Sequence, residues 1–273
     1  MKNEILVLGD NILSHYFKSK GEYDVYPLSW LFDNDDSYEI IETYKAIIYV
    51  EEKRKGFLSE LMSVNSSIPN NIINYLKAKG SPVSFVYIST AELYNGNYEW
   101  EKTNEFLNEL NVSNDYLLTK RIGERVLEEK NALILRIKNP FSEYYHSDNW
   151  LVKALKSEEP LNWMDCHSYL PDLENAIRVL LREKKTGIYN CVQTETGSDL
   201  YYLQILGIEK YKDYDINNDG VTTEDKIGAD VNSSRLKNFI HFQPMNFAVI
   251  YCMEKLKDKL DNPSLNAKVE VCG

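Results

Sequence analysis

Short runs of apolar and β-branched residues, each followed by a turn or a helical pattern, constrain the fold of this chain more than any other feature of its sequence. They lie within the first 137 residues, at 5–8, 23–26, 46–50, 83–88 and 132–137. Most are apolar at successive positions, which means that both faces of the strand are buried. Strands of this kind that alternate with helices predict an α/β protein with a parallel, doubly wound sheet.

The last third of the chain is less regular. Residues 187–192 predict one more strand of the sheet, and the polar stretch 211–234 predicts a loop-rich segment. Helical patterns cover 12–17, 58–78 (interrupted at Pro69), 116–129, 173–181, 199–207 and 244–260. We therefore expect a sheet domain formed by residues 1–140 plus 165–195, and a smaller C-terminal lobe formed by 141–164 plus 196–273.

Charge and cysteine usage argue against several classes of protein. The 273 residues include 31 Lys and Arg against 42 Asp and Glu, a net charge of −11, whereas nucleic-acid binding needs clustered basic residues. The apolar runs are too short to span a bilayer, and the N-terminus has no apolar stretch of the signal-peptide kind. The four cysteines are scattered without metal-ligand spacing, as reduced thiols are. We expect a cytoplasmic protein without membrane, metal or nucleic-acid partners.

A tyrosine and a lysine lie four residues apart in the predicted helix 116–129. On a helix, Tyr116 and Lys120 share one face, and an adjacent ammonium lowers the pKa of a phenol, so that it can exchange protons with a carbonyl or an alcohol. Such a pair also arises by chance in a tyrosine-rich chain. Its context makes it more specific, because Ser89 and Thr90 end the preceding predicted strand. A hydroxyl there lies where open α/β sheets bind ligands and can donate a hydrogen bond to a substrate carbonyl.

This arrangement resembles the extended short-chain dehydrogenase/reductase family, of the NAD-dependent epimerase/dehydratase type, and within it most of all the dTDP-4-dehydrorhamnose reductase branch. Residues 85–90 resemble the strand that carries the branch's catalytic threonine, and 114–124 resemble its catalytic helix. Weaker matches cover 134–136, 187–190 and 232–236. The order of these matches is kept along most of the chain, at low identity.

The resemblance implies a Rossmann-like fold with a C-terminal lobe that binds substrate. It implies that Tyr116 is the general acid, that Lys120 lowers its pKa and holds the nicotinamide ribose, and that Thr90 polarises the substrate carbonyl, with Ser89 as its substitute. The implied enzyme is an oxidoreductase that acts on a CH–OH group with NAD or NADP. Its substrate would be a nucleotide-linked keto-deoxy sugar in polysaccharide precursor synthesis. An epimerase or dehydratase activity, and a homodimer, remain open.

The expected dinucleotide-binding loop departs from the family's pattern. The family has G-x-x-G-x-x-G after the first strand, which lets the backbone approach a pyrophosphate at a helix N-terminus. Here Gly9 is retained, but Ile12 and His15 stand at the other two glycine positions. The residues that would contact the cofactor, by resemblance, are Gly9, Asn11, Ile12, Val50, Tyr116 and Lys120.

Acidic residues surround the same loop. Asp10 follows Gly9, and Glu51 and Glu52 follow the third predicted strand, where the family usually has small residues. We expect their charge and bulk to weaken the binding of a pyrophosphate. In one hypothesis, which the retained Tyr116 and its partners favour, the loop is rebuilt and NAD or NADP still binds. In the other, the protein is a sugar-nucleotide-binding or regulatory protein without redox activity.

Other features carry weaker predictions. The segment 215–220 begins like a calcium-binding loop, but Lys226 replaces the bidentate glutamate, which favours a simple turn. His167 precedes a predicted helix where the family often has substrate-facing residues, and a structural role is the alternative. Trp150 and Trp163 would line a sugar pocket or fill the core.

Overall fold

The structure is a computed structural model that describes residues 3–94, 114–160, 165–193, 195, 197–212 and 231–260. Within these residues the strands are β1 (Ile5–Leu8), β2 (Asp24–Tyr26), β3 (Ala46–Tyr49), β4 (Ser84–Thr90), β5 (Leu133–Ile137), β6 (Pro140–Phe141), β7 (Ser168–Tyr169) and β8 (Gly187–Asn190). The α-helices are α1 (Ile12–Lys20), α2 (Trp30–Asp33), α3 (Ser37–Ile41), α4 (Leu58–Met62), α5 (Ile68–Ala78), α6 (Asp115–Glu128), α7 (Trp150–Lys156), α8 (Leu170–Arg182), α9 (Asp199–Ile205), α10 (Ser234–Lys237) and α11 (Met245–Leu260). A π-helical segment, Ser63–Ser67, joins α4 to α5, and short 3₁₀ helices cover Ala91–Tyr94 and Glu209–Tyr211.

A parallel sheet of six strands organises the molecule, in the order β2-β1-β3-β4-β5-β8. Every neighbouring pair in it is parallel, and helices cover both faces. The predicted doubly wound α/β fold is therefore confirmed. Because β2 and β3 lie on opposite sides of β1, the order reverses at β1, and open sheets of this kind bind ligands at such a reversal.

Successive residues of the central strands enter two separate cores. Val7 and Ile48 pack with α1 and α8 on one face of the sheet. Leu8 and Ile47 pack with α5 and the end of α6 on the other face. Each fully buried side chain of this size stabilises the fold by roughly 1.5–3 kcal/mol, which explains why the strands are apolar at successive positions.

A third apolar cluster lies beyond the sheet. It joins Phe141 and Trp150 to side chains of α9 and α11, all from the segments assigned to the predicted lobe. The division of the chain into two domains stays a prediction. Among the described residues, none of the helices combines the length and the apolar character needed to cross a membrane.

Several element boundaries differ from those predicted. Strand β4 extends two residues beyond the apolar run 83–88, and Ser89 and Thr90 form its carboxyl end as the sequence predicts, whereas β8 already ends at Asn190. The helical stretch 58–78 is not broken at Pro69. Pro69 lies in the first turn of α5, where a proline is tolerated, directly after the π-helical segment.

Two tyrosines of the sheet fasten this helical stretch. Pro69 has no N–H group, so the helical stretch lacks one backbone donor for the carbonyls of the preceding turn. The hydroxyl of Tyr49 donates to the Val64 carbonyl at 2.8 Å, and that of Tyr87 donates to the Asn65 carbonyl at 2.6 Å. Tyr49 and Tyr87 are paired in register on β3 and β4. These two hydrogen bonds thus fix the distance between the π-helical segment and the sheet.

Glycine at position 123 allows α6 to approach the same segment. A Cβ atom on Gly123 would lie 2.3 Å from the Asn65 carbonyl oxygen. We predict that Gly123→Ala lowers the free energy of unfolding by about 1–3 kcal/mol, because overpacking against backbone exceeds the gain in helix propensity. Urea denaturation measures this, with the exposed Glu128→Ala in the same helix as the control. A Gly123→Ala protein as stable as the wild type would contradict the contact.

Candidate active site

A cleft of about 420 Å³ lies over the carboxyl ends of the parallel strands. The loops that follow β1, β3, β4 and β5 form its floor and walls, and α7 closes one side. The lining residues are Asp10–Leu13, Val50–Glu52, Arg54, Ile88–Thr90, Glu92, Ile137–Pro140, Asp148, Trp150 and Lys153. Its position matches the place where open α/β sheets bind ligands, and its volume falls in the usual range for small-molecule pockets.

The structure brings the predicted site residues to this end of the sheet, but they divide into two groups. Ser89, Thr90, Asn11, Ile12 and Val50 line the cleft. Tyr116, Lys120 and Gly9 lie behind its wall and do not line it. Their assignment as catalytic or cofactor-binding residues stays a prediction.

A carboxylate and a guanidinium cover Tyr116. Its hydroxyl donates to Oε2 of Glu52 at 2.8 Å, and the guanidinium of Arg54 lies 4.6 Å from the centre of its ring. Arg54 in turn binds Oε1 of Glu52 at 2.8 Å and Oε1 of Glu92 at 2.9 Å. Glu52, Arg54 and Glu92 line the cleft and leave Tyr116 only 5% exposed. A ligand in the cleft therefore meets Glu52 and Arg54 before it meets the phenol.

The charge environment of Tyr116 is the reverse of the one predicted from Tyr-x-x-x-Lys. Burial and then the Glu52 carboxylate raise the pKa of Tyr116 well above its usual value. The role of Lys120 in lowering this pKa stays a prediction. The Lys120 ammonium donates to the Ile88 carbonyl at 2.8 Å and lies 4.5 Å from the centre of the Tyr87 ring. Burial lowers its own pKa to about 8.

Thr90 is the predicted catalytic residue that best reaches the cleft. Its Oγ1 accepts a hydrogen bond from the backbone N–H of Glu92 at 3.1 Å. This bond uses an acceptor position and leaves the O–H as a donor. Thr90 lines the cleft at the end of β4, so it can donate to a polar atom of a ligand there.

The loop after β1 packs directly on the loop after β3. Gly9 has φ of 143°, and a Cβ atom on it would lie 2.8 Å from the backbone nitrogen of Glu51. The Glu51 carboxylate accepts the backbone N–H of Asp10 at 2.9 Å. Glycine is therefore needed at position 9 so that the two loops can come into contact. The Glu51 carboxylate occupies the Asp10 N–H, a backbone donor that could otherwise bind an anion.

The N-terminus of α1 is capped from within the chain. The Asn11 side chain accepts from the backbone N–H groups of Leu13 at 2.9 Å and Ser14 at 3.4 Å. Its Nδ2 donates to the Val50 carbonyl at 2.6 Å, which closes the gap between the two loops. Such N–H groups are the donors that bind a pyrophosphate in dinucleotide-binding folds. Asn11, predicted to contact the cofactor, is used here as an N-cap.

The charges of the cleft oppose a pyrophosphate at the N-terminus of α1, where Asp10 and Glu51 lie. The carboxylates that line the cleft outnumber its cations by five to three. Each cation also has a carboxylate partner: Arg54 with Glu52 and Glu92, Lys138 with Asp165 at 2.6 Å, and Lys153 with Asp148 at 2.9 Å. With the donors of the loop satisfied and the charge unfavourable, a dinucleotide pyrophosphate does not fit the usual pose in this structure.

Of the weaker candidates, Trp150 lines the cleft, where its indole N–H donates to Asp199 at 2.7 Å. His167 is buried behind it, with ring centres 3.9 Å apart, and does not line the cleft. Burial lowers the pKa of His167 to about 3. Trp163 and the segment 215–226 lie outside the described residues. No cluster of three or more His, Cys, Asp or Glu in the described part of the chain could hold a metal ion.

Sequence reasoning missed the partners of Tyr116. It marked Glu52 only as an acidic, bulky residue and did not single out Arg54. The two lie 64 and 62 positions from Tyr116, so no local pattern links them. The sequence does contain one usable signal. Glu51, Glu52 and Arg54 follow a buried strand, and charged residues at the carboxyl end of such a strand are expected to lie at the ligand-binding site.

A known protein family matches the central part of the chain. Residues 46–162 match the NAD dependent epimerase/dehydratase family. This segment belongs to that family. The resemblance stated from the sequence is thereby confirmed, and the family's match covers β3, β4, α6, β5 and α7. No curated protein matches the chain.

Solved structures share the fold over nearly the whole chain. The dTDP-4-dehydrorhamnose reductase of Bacillus anthracis in complex with NADP is 20% identical, with a TM-score of 0.70 over 93% of this chain and 100% of the other. A Clostridium acetobutylicum dTDP-4-dehydrorhamnose reductase is 16% identical, with a TM-score of 0.69 over 94% and 100%. The UDP-glucuronic acid 4-epimerase of Bacillus cereus in complex with NAD is 15% identical, with a TM-score of 0.64 over 94% and 99%. At these identities the likeness shows the fold.

The Glu52 contacts predict a pH-dependent contribution to stability. Burial alone would raise the pKa of Glu52, but the charges of Arg54 and Lys120 outweigh it and the net shift is downward. We predict that Glu52→Gln lowers the free energy of unfolding by about 1–3 kcal/mol at neutral pH. A carboxyl with a lowered pKa stabilises the fold above its unfolded pKa of about 4.3 and loses that contribution as the pH falls through its folded pKa.

Denaturant unfolding at several pH values measures the difference between the two proteins. It should be largest at neutral pH and shrink below about pH 4. Glu60→Gln, which removes a carboxylate from an exposed ion pair with Lys53, is the control and should change stability little. A Glu52→Gln difference that stayed constant as the pH was lowered would contradict this account.

Proposed function

We propose that this protein binds a nucleotide-linked sugar in the cleft and does so without nicotinamide redox chemistry. The observation that carries the proposal is the pair of adjacent carboxylates after β3. Glu51 accepts the N–H of Asp10, and Glu52 accepts the hydroxyl of Tyr116. Two adjacent residues thus bind both the expected dinucleotide-binding loop and Tyr116, the predicted general acid.

The ligand class is supported by the chemistry of the cleft and by the neighbours. Trp150 offers an aromatic wall, and the hydroxyl of Thr90 can donate a hydrogen bond to a sugar. The side-chain oxygen of Asn139 can accept one, since its amide group already donates to Asp165 and Cys166. The guanidinium of Arg54 and the ammonium of Lys153, which is exposed, can exchange a carboxylate for a phosphate group. Structures of the same fold are named for dTDP-linked and UDP-linked sugars.

A second candidate is the NAD(P)-dependent reductase, or epimerase/dehydratase, of a nucleotide-linked keto-deoxy sugar in polysaccharide precursor synthesis. The observation in its favour is that Ser89 and Thr90 line the cleft while Tyr116 and Lys120 stand on α6 beside it. For this activity Glu52 would have to release Tyr116, so that the phenol could give a proton to the substrate oxygen. Neighbours solved with NADP or NAD support a nicotinamide cofactor.

Ligand titration decides between the two. We predict that calorimetry detects dTDP-linked or UDP-linked sugars and does not detect NADH or NADPH, because the donors of the loop are already used. NADPH binding at micromolar concentration, with reduction of a keto sugar that Tyr116→Phe abolishes, would contradict the proposal and establish the reductase. Failure of every nucleotide sugar to bind would contradict it as well.

The hydrogen bond between Glu51 and the Asp10 N–H predicts how a cofactor site could be restored. In a protein with Glu51→Ala, the Asp10 N–H loses its carboxylate partner and becomes available to a phosphate. The Ile12 side chain packs in the core and does not block that approach, so it is left unchanged. We predict that NADPH then binds at least about tenfold more tightly, a change of roughly 1.4 kcal/mol. Fluorescence titration measures it, with Glu60→Ala as the control for loss of an exposed carboxylate. Equal affinities in all three proteins would show that this loop does not determine binding.

The compartment is also a proposal. Cys166, Cys191 and Cys252 are buried free thiols in the described part of the chain, a state that a reducing cytoplasm maintains.

A further inference from the structure

A second cavity, of about 460 Å³, lies at the other end of the strands from the cleft. Ser84 at the start of β4, Leu133 at the start of β5 and Thr186 just before β8 place it at the amino ends of the strands. Four lysines line it: Lys77, Lys130, Lys184 and Lys185. Its lining includes no Asp or Glu, although the chain as a whole has a net charge of −11. We call this cavity the lysine groove.

The four lysines have no carboxylate partners among the described residues. Their recorded contacts are with neutral groups: Lys130 with the Asn70 side chain, and Lys185 with the Phe239 ring at 5.3 Å. In the cleft, by contrast, every lining cation is bound to a carboxylate. Of the two cavities, the lysine groove is therefore the one whose lining cations have no carboxylate to release before they bind an added anion.

Helix capping does not account for the lysines. The helices α5, α6 and α8 all end at the groove, and lysines are common there because they interact with the negative end of a helix. However, the backbone already satisfies the terminal carbonyls, through the same bond across five residues in each helix: Ser81 to Leu76 at 2.9 Å, Ala132 to Leu127 at 3.2 Å, and Lys185 to Leu180 at 2.8 Å. The ammonium groups are therefore not needed to cap these helices.

The backbone conformation of Lys184 is a second, independent observation. The three caps place Gly80, Asn131 and Lys184 at positive φ, of 63°, 59° and 51°. Glycine is favoured at this position and asparagine is the usual substitute, whereas a long side chain is strained there. Lys184 therefore brings an ammonium to the groove in a conformation that glycine would adopt at lower cost, as functional residues often do.

We propose that the lysine groove binds a small phosphorylated ligand, of the nucleoside di- or triphosphate class. The ammonium groups would hold the phosphates, and Leu76, Phe85 and Leu133 give the groove an apolar floor for the rest of the ligand. A long nucleic acid is disfavoured, because beyond the groove the surface of a protein with this net charge repels phosphates.

Calorimetry with ATP, without added magnesium, tests the proposal, and adenosine and a single-stranded oligonucleotide serve as comparisons. We expect ATP to bind and adenosine not to, and we expect the affinity for ATP to fall as salt is added. Lys184→Gly should weaken ATP binding about threefold or more, the size expected for one exposed charge pair. Its thermal midpoint should stay equal to the wild type or rise, since glycine relieves the strain.

Further variants separate this site from the cleft. Adding Lys77→Met and Lys185→Met to Lys184→Gly should abolish ATP binding, while Lys18→Met, which removes one exposed charge from α1, should leave it unchanged. Unchanged ATP affinity in the triple variant, or an oligonucleotide that binds more tightly than ATP, would overturn the proposal. None of the substituted residues lines the cleft, so binding of nucleotide sugars in the cleft should persist in all these proteins, and that result bears only on the function proposed for the cleft.

Discussion

The carboxylates of Glu51 and Glu52 compete with any ligand for the hydrogen-bond donors of the cleft. A buried N–H or O–H group needs an acceptor, and a charged acceptor binds it roughly twice as strongly as a neutral one. Glu52 meets this need for the buried Tyr116 hydroxyl, and Glu51 binds the more exposed N–H of Asp10. The side chains that follow one strand therefore determine the state of the loop after β1, of α6 and of Arg54. A ligand that needs these donors must displace a carboxylate from each.

The sequence predicts those parts of this arrangement that depend on local pattern. Successive apolar residues such as Ile47 and Ile48 predict a strand buried on both faces, and the structure confirms the parallel sheet. The placement of Ser89 and Thr90 follows as well, because a residue that ends a buried strand faces the ligand-binding edge. Helix α6 begins within one residue of its predicted start, since Asn114 caps it and Asp115 favours its first turn.

What the sequence does not predict are contacts between distant segments. The Tyr116–Glu52 bond joins residues 64 positions apart, and it raises the pKa of Tyr116, whereas the lysine one turn away is expected to lower it. Pattern reasoning considered the neighbour along the helix and could not weigh a partner from another strand. The continuous path of the helical stretch past Pro69 was missed for a related reason: the tyrosine bonds to the π-helical segment are tertiary contacts that override local propensity.

The retained Thr90, Tyr116 and Lys120 do not by themselves require a redox reaction, because each also has a structural role here. Lys120 binds the Ile88 carbonyl and the Tyr87 ring, and so holds α6 against β4. Thr90 accepts the Glu92 N–H and thereby fixes the turn that carries one partner of Arg54. Removal of any of these side chains would leave a buried donor or acceptor unpaired, at a cost of about 1–3 kcal/mol. Such a penalty is enough to keep the three residues in a protein whose cleft no longer accepts a dinucleotide, and only ligand binding separates the two explanations.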